Sequence, residues 1–164
     1  RGLSEPMNTH ADHFNTNAAY GVSSYVKGSV FLSQLGYVIG EPVLNKTLHL
    51  FYDQWKFKHP TGDDFLHIAE RVSGIELGWY YRYMVNRIEL PDYAIDTVYS
   101  SGSSSVVILG NHGLFPMPID IVVQDTAGKS TYYTIPLNLM LEPKNSDLEK
   151  ITWKVMPMWD WVVP

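Results

Sequence analysis

The sequence contains no cysteine, so neither a disulfide nor a thiolate site exists among these 164 residues. This absence does not indicate a compartment, because cysteine-free proteins occur on both sides of a membrane. Basic residues are also scarce: 12 Lys and Arg stand against 17 Asp and Glu, and the formal net charge is −5. A surface with this balance does not favour nucleic acid or an anionic membrane as a partner.

Long apolar runs are also missing, and no stretch of 18 apolar residues occurs, so the sequence predicts no membrane-spanning segment. Hydrophobic residues nevertheless make up 45% of the chain and charged residues only 18%. This composition predicts a packed core rather than a disordered chain. The length allows one domain or two small ones.

Several catalytic patterns do not stand out in the sequence: a carboxylate pair, a Ser-His-Asp arrangement and a Gly-rich phosphate loop. None of the six histidines is followed by Glu and then by a second His four positions on. The His-Glu-x-x-His zinc motif, which puts two imidazoles on one helical face, is therefore absent from this sequence.

The stretch that organises the chain covers residues 20–39. Its apolar positions recur mostly every three or four residues: Val22, Val26, Val30, Leu32, Leu35 and Ile39. This spacing predicts a core helix with one broad buried side. Tyr20 and Tyr25 lie about 140° apart on such a helix, because each residue advances roughly 100°. We expect the two tyrosines to flank one cavity from two directions.

Three further amphipathic helices are predicted before residue 91. One begins at Glu41-Pro42, the next begins at Thr61 with a capping box to Asp64, and Ser73-Gly74 ends it. The last begins near Glu76. Four helices with short connections predict an α-helical bundle over residues 1–91.

The apolar period changes from helical to alternating after Pro91. Short segments rich in β-branched and aromatic residues follow: 93–99, 104–109, 119–123 and 131–137. Gly128 marks a hairpin turn between the last two of these segments. We therefore predict a small antiparallel β-sandwich over residues 92–164 and an α+β fold in two parts. Trp159 and Trp161 alternate like strand residues, which favours a shared sheet face over a stacking platform for sugar or peptide.

The segment Tyr25-Val26-Lys27-Gly28, followed by an apolar helix, resembles the aminopeptidase N family of gluzincin zinc metallopeptidases. That family carries Tyr-Glu-Lys-Gly at this place, with another tyrosine five residues earlier that Tyr20 matches. The break before Glu41 and the Thr-x-x-Asp-Phe helix start at Thr61 are also similar. The resemblance covers about residues 1–95. Val26 stands where the family has Glu, which is not a metal ligand there.

The resemblance implies that residues 1–91 are the C-terminal part of a thermolysin-like catalytic domain. The parent would be a zinc metalloaminopeptidase that hydrolyses N-terminal residues from peptides. Tyr25 would be catalytic and would stabilise the developing oxyanion, and Tyr20 would bind substrate. The phenol suits this role because it remains a donor at neutral pH.

The same resemblance implies that the zinc ligands lie upstream of this chain, which supplies no metal ligand itself. We expect the chain to be a piece that begins just after the metal site, to bind no cofactor and to be inactive alone. Its partners would be a peptide substrate and the upstream zinc-binding part of the same parent.

Two other functions remain open at this stage. The chain would be a non-catalytic peptide- or protein-binding module if the parent had lost its zinc ligands. Alternatively, His10 and His13, with Asp12 between them, would form a small metal site on a turn. Judged from the residues alone, Tyr25 is more often a packed side chain than a catalytic one, and the His-x-x-His string is more often a hydrogen-bonded loop.

Overall fold

The computed structural model describes residues 2–102 and 104–137 and the backbone of Val162–Val163. Helices fill the first half of the chain and antiparallel strands the second, so the predicted α+β class is confirmed. The chain divides into two compact units, Arg1–Glu89 and Leu90–Pro164. The sequence analysis put the boundary after Pro91. The predicted alternation of Trp159 and Trp161 lies outside the described residues.

The helical unit begins with a loop that contains a 3₁₀ turn at Ala11–His13. The elements that follow are α1 (Asn17–Gly21), a π-helical turn (Val22–Val26), α2 (Lys27–Ile39), α3 (Glu41–Trp55), α4 (Gly62–Ser73) and α5 (Gly78–Met84). Helical backbone is continuous from α1 through α2. The first helix therefore begins three residues before the predicted start at Tyr20.

Local capping interactions define the helix ends much as the sequence predicts. The Thr61 hydroxyl accepts a hydrogen bond from the Asp64 N–H, and the Asp64 carboxylate accepts the Thr61 N–H at 2.8 Å. This reciprocal pair is a capping box, and it starts α4. Gly40 (φ 89°) and Gly74 (φ 71°) end α2 and α4 with backbone conformations that favour glycine.

The core of the helical unit combines apolar residues from four helices. The buried apolar side chains of this unit include Phe31, Leu35, Ile39, Leu44, Ile68, Ala69, Leu77, Tyr80 and Met84. The Tyr80 hydroxyl donates to the Phe31 carbonyl at 2.7 Å, and burial raises the pKa of this phenol. The Phe31 ring also lies 5.2 Å from the Tyr80 ring and 6.1 Å from the Phe65 ring, between centroids. This aromatic cluster joins α2 to α4 and α5.

The predicted buried side of the first helix is wrong at two positions. Val26 and Val30 are 57% and 42% exposed, whereas Phe31, absent from the predicted set, is 7% exposed. Val30 lies five residues before Leu35 in the same α-helix, so a regular helix already puts the two about 140° apart. The predicted set therefore mixed two faces of α2, and Phe31, four residues before Leu35, lies on the buried face. Before α2, the Lys27 N–H closes the π turn by donating to the carbonyl of Val22 five residues earlier, so a single 3.6-residue period does not describe residues 20–39.

The second unit is built from antiparallel strands. They are β1 (Tyr93–Ser101), β2 (Ser104–Asn111), β3 (Ile119–Gln124), β4 (Ser130–Ile135) and the two-residue β5 (Val162–Val163). β2 pairs with β1 and β5, and β3 pairs with β4. Gly128 has φ 85° in the turn between β3 and β4, which confirms the predicted hairpin. A bulge between Ile95 and Thr97 interrupts the β1–β2 register.

The capping box at α4 predicts a pH-dependent contribution to stability. The backbone N–H and the hydroxyl of Thr61 hold the pKa of Asp64 below its ordinary value. A carboxyl with a depressed folded pKa stabilises the protein above its unfolded pKa of about 4, and the stabilisation is lost as pH falls through the folded value. We therefore expect Asp64→Ala to lower the urea midpoint at pH 7 and to have a smaller effect near pH 2.

Asp63→Ala is the matched control, because Asp63 lies in the same first turn and faces the same helix dipole. The difference between the two variants at pH 7 isolates the capping box. Equal midpoints for both variants at every pH would contradict the assignment.

Candidate functional site

The two tyrosines singled out in the sequence meet at the π turn. Tyr25 lies within this turn, and Tyr20 lies one turn earlier in α1. Their ring centroids are 5.8 Å apart and their planes are at 88°, an edge-to-face contact. The expected separation of 140° is therefore wrong, because a π turn closes over five residues and places i and i+5 on the same side. The two rings contact each other rather than facing across a cavity.

The two phenol groups of this pair interact. A side-chain hydrogen bond to Tyr25, with its electrostatic effect, raises the pKa of Tyr20. Tyr25 is 68% exposed, so its hydroxyl is accessible from solvent.

The pocket beside this pair is formed by the N-terminal loop and the start of α1. It has a volume of about 330 Å³ and is lined by Ala11, Phe14, Asn15, Thr16, Asn17 and Tyr20. The Phe14 ring packs edge-to-face against the Tyr20 ring, with centroids 5.5 Å apart. The Thr16 hydroxyl accepts the Ala19 N–H at 3.0 Å and caps α1. These contacts fix the wall that Tyr20 shares with the pocket.

A buried serine connects the π turn to the N-terminal loop. Ser23 is fully buried, and its hydroxyl oxygen accepts the Glu5 N–H at 2.8 Å. The Glu5 carboxylate in turn accepts the backbone and side-chain N–H groups of Asn15, both at 3.1 Å. Glu5 therefore holds both the pocket wall at Asn15 and the π turn at Ser23. The sequence analysis did not identify Ser23, because a serine in a helical segment carries no distinguishing pattern.

Lys27 connects the other end of the π turn to the segment after α5. Its ammonium donates to the Arg87 carbonyl at 2.6 Å. Partial burial lowers the pKa of Lys27, and the nearby Glu89 carboxylate opposes this shift. Within the described residues, the buried Glu89 Oε2 has no hydrogen-bond partner. Lys27 belongs to the Tyr25-Val26-Lys27-Gly28 motif, from which no role for Lys27 was predicted.

The histidine string forms a local turn. His10 Nδ1 accepts the Asp12 N–H at 3.3 Å and caps the 3₁₀ turn, and the His10 and His13 rings lie 5.2 Å apart. The side chains of all three residues are exposed. Residues 2–102 and 104–137 contain no group of three or more His, Cys, Asp and Glu side chains arranged to hold a metal ion. The geometry of the string is that of a hydrogen-bonded loop.

Comparisons with known proteins do not identify this chain. No protein-family model matches it, and no curated protein matches it significantly. The aminopeptidase resemblance therefore depends on the residues quoted above. In the part of the chain that the structure describes, no helix is long and apolar enough to cross a membrane.

The hydrogen bond between the tyrosines can be tested by titration. In Tyr25→Phe the hydroxyl that interacts with Tyr20 is lost, so we expect the pKa of Tyr20 to fall towards its ordinary value of about 10. The measurement is an NMR titration of proteins labelled at the tyrosine ring carbon that carries the hydroxyl. Tyr52→Phe, which removes an exposed phenol from α3, is the control and should leave the Tyr20 titration unchanged. An unaltered Tyr20 pKa in Tyr25→Phe would exclude the hydrogen bond.

Proposed function

We propose that this chain is part of a zinc-dependent metalloaminopeptidase and supplies Tyr25 as the residue that stabilises the transition state. The observation that carries the proposal is the Tyr25 phenol, which is 68% exposed while its ring packs edge-to-face against Tyr20. The matching Tyr25-Val26-Lys27-Gly28 motif supports the same assignment. In this proposal the helical unit is the C-terminal part of a thermolysin-like domain, and the strand unit is a β-sandwich.

In this proposal upstream residues of the parent would hold the zinc, as the family resemblance implies. When bound, zinc supplies a water that is nucleophilic at neutral pH. Tyr25 acts on the other reacting atom, the oxygen of the scissile carbonyl. Its O–H donates a hydrogen bond that strengthens as this oxygen becomes negative. Because the bond is stronger in the transition state than in the substrate, it raises the rate of hydrolysis.

Tyr20 has two parts in this proposal. Its ring packs edge-to-face on the Tyr25 ring at 5.8 Å between centroids, which restrains the phenol that acts on substrate. Its ring lines the pocket with Phe14 and Asn15, where it contacts the bound peptide. The pocket combines two aromatic rings with amide and hydroxyl groups, a mixture suited to a peptide segment with both apolar and hydrogen-bonding surface.

A second candidate is the non-catalytic peptide-binding module. It is favoured by β1, on which Ile95 and Val98 are each 60% exposed. Among the described strands, β1 pairs with β2 alone and so has a free edge. Extended peptides bind such edges by adding a strand, with side chains held on the exposed face. This function needs neither zinc nor Tyr25.

The activity test uses the parent protein, extended upstream of this chain and supplied with zinc. We expect it to hydrolyse aminoacyl chromogenic amides, with loss of activity on chelation. We expect Tyr25→Phe to lower kcat by roughly a hundredfold to a thousandfold, because one oxyanion donor is removed. Tyr52→Phe is the matched control and should retain full activity.

The possible results separate the two candidates. A folded, zinc-supplied parent with no hydrolytic activity supports the binding module. Chelator-sensitive activity that is unchanged in Tyr25→Phe keeps the enzyme class but removes Tyr25 from the mechanism.

A further inference from the structure

The π turn at Val22–Val26 needs contacts from outside the helix to hold it. Such turns are rare, because the i→i−4 hydrogen bonds of a regular α-helix are normally preferred. Without the turn, Tyr20 and Tyr25 would return to about 140° apart. The contact between the two tyrosines therefore depends on whatever holds the turn in this register.

Lys27 stands at the junction where the π turn ends and α2 begins. Its backbone N–H closes the turn by donating to the Val22 carbonyl. Its side chain leaves the helix and donates to the Arg87 carbonyl at 2.6 Å. The bond is charge-assisted, so it is stronger than a neutral bond of the same geometry. One residue thus closes the π turn and attaches its end to a separate segment.

The segment that accepts this bond is itself attached to the N-terminal loop. The Val85 carbonyl accepts the Met7 N–H at 2.8 Å, and the Asn8 and Asn86 side-chain amides are 3.0 Å apart. The Arg87 carbonyl is therefore a fixed point rather than the end of a free chain. A bond to it restrains the π turn against rotation.

We propose that Lys27 is the positioning residue for Tyr25: by bonding the Arg87 carbonyl, it holds the π turn in the register that brings Tyr25 into contact with Tyr20. Lys27 does not itself contact the reacting atoms. The effect of the Lys27 bond on activity rests on the proposed function of Tyr25. Its effect on the contact between Tyr20 and Tyr25 does not.

The first experiment measures the tyrosine pair without any activity assay. In Lys27→Met, Tyr25 moves away from Tyr20, so the NMR titration of Tyr20 should shift towards its ordinary pKa of about 10, as in Tyr25→Phe. Lys58→Met is the matched control, because the Lys58 ammonium also donates to a backbone carbonyl, that of Gln54 at 2.8 Å. An unchanged Tyr20 titration in folded Lys27→Met overturns the inference.

The second experiment is a double-mutant cycle in the zinc-supplied parent. Lys27→Met should lower kcat by roughly tenfold to a hundredfold with little change in KM, as expected for a misplaced catalytic group. In the Tyr25→Phe background the same substitution should change kcat by less than about twofold, because the misplaced donor is already absent. Equal losses in both backgrounds would make Lys27 merely structural and overturn the inference.

Lys27→Ala is the second variant, because its short side chain carries no donor and places no long apolar chain at the site if Met prevents folding. It loses the bond to Arg87 and should give the same pattern. If Tyr25→Phe alone leaves kcat unchanged while Lys27→Met shifts the Tyr20 titration, the catalytic proposal fails and the positioning inference stands.

Discussion

The hydrogen bond from the Lys27 N–H to the Val22 carbonyl is the interaction on which the geometry of the candidate site depends. It closes a five-residue turn and so places Tyr25 over Tyr20, where a four-residue turn would separate them. The core contacts of α2 follow from the regular helix after this turn, in which Phe31, Leu35 and Ile39 recur every four residues and are buried. The π turn therefore joins the two-tyrosine contact to a helix whose own register is set by core packing.

The site and the core occupy opposite ends of one continuous helical stretch. At its C-terminal end, Phe31 packs against Tyr80 and its carbonyl accepts the Tyr80 hydroxyl, so that end is fixed by burial. At the N-terminal end, the fixing contacts are polar: Glu5 bonds Ser23, and Lys27 bonds Arg87. Polar contacts allow Tyr25 to remain exposed while its backbone is restrained. A site that must meet a substrate in solvent needs this combination.

The two units carry different features that a function could use. The helical unit carries the oriented phenol and the adjoining pocket, whereas the strand unit carries apolar residues such as Ile95 and Val98 on an exposed strand. The phenol and its pocket favour catalysis, which needs an oriented hydrogen-bond donor. The exposed strand favours peptide binding, which needs only a sheet edge. The functional choice therefore depends on Tyr25 rather than on the fold, because one fold supports both catalytic and binding roles.

The sequence by itself determined the features that arise from local interactions. The α4 capping box, the glycines at the ends of α2 and α4, and the β3–β4 hairpin follow from residues within a few positions of one another. The sequence also singled out Tyr25 through a motif, and its catalytic role stays a prediction. The tertiary structure alone decided the π turn, the burial of Ser23 and the bond from Lys27. The last two involve Glu5 and Arg87, which are 18 and 60 residues from their partners. A helical period read along the chain contains no information about such distant contacts, so the contact between Tyr20 and Tyr25 could not be predicted from it.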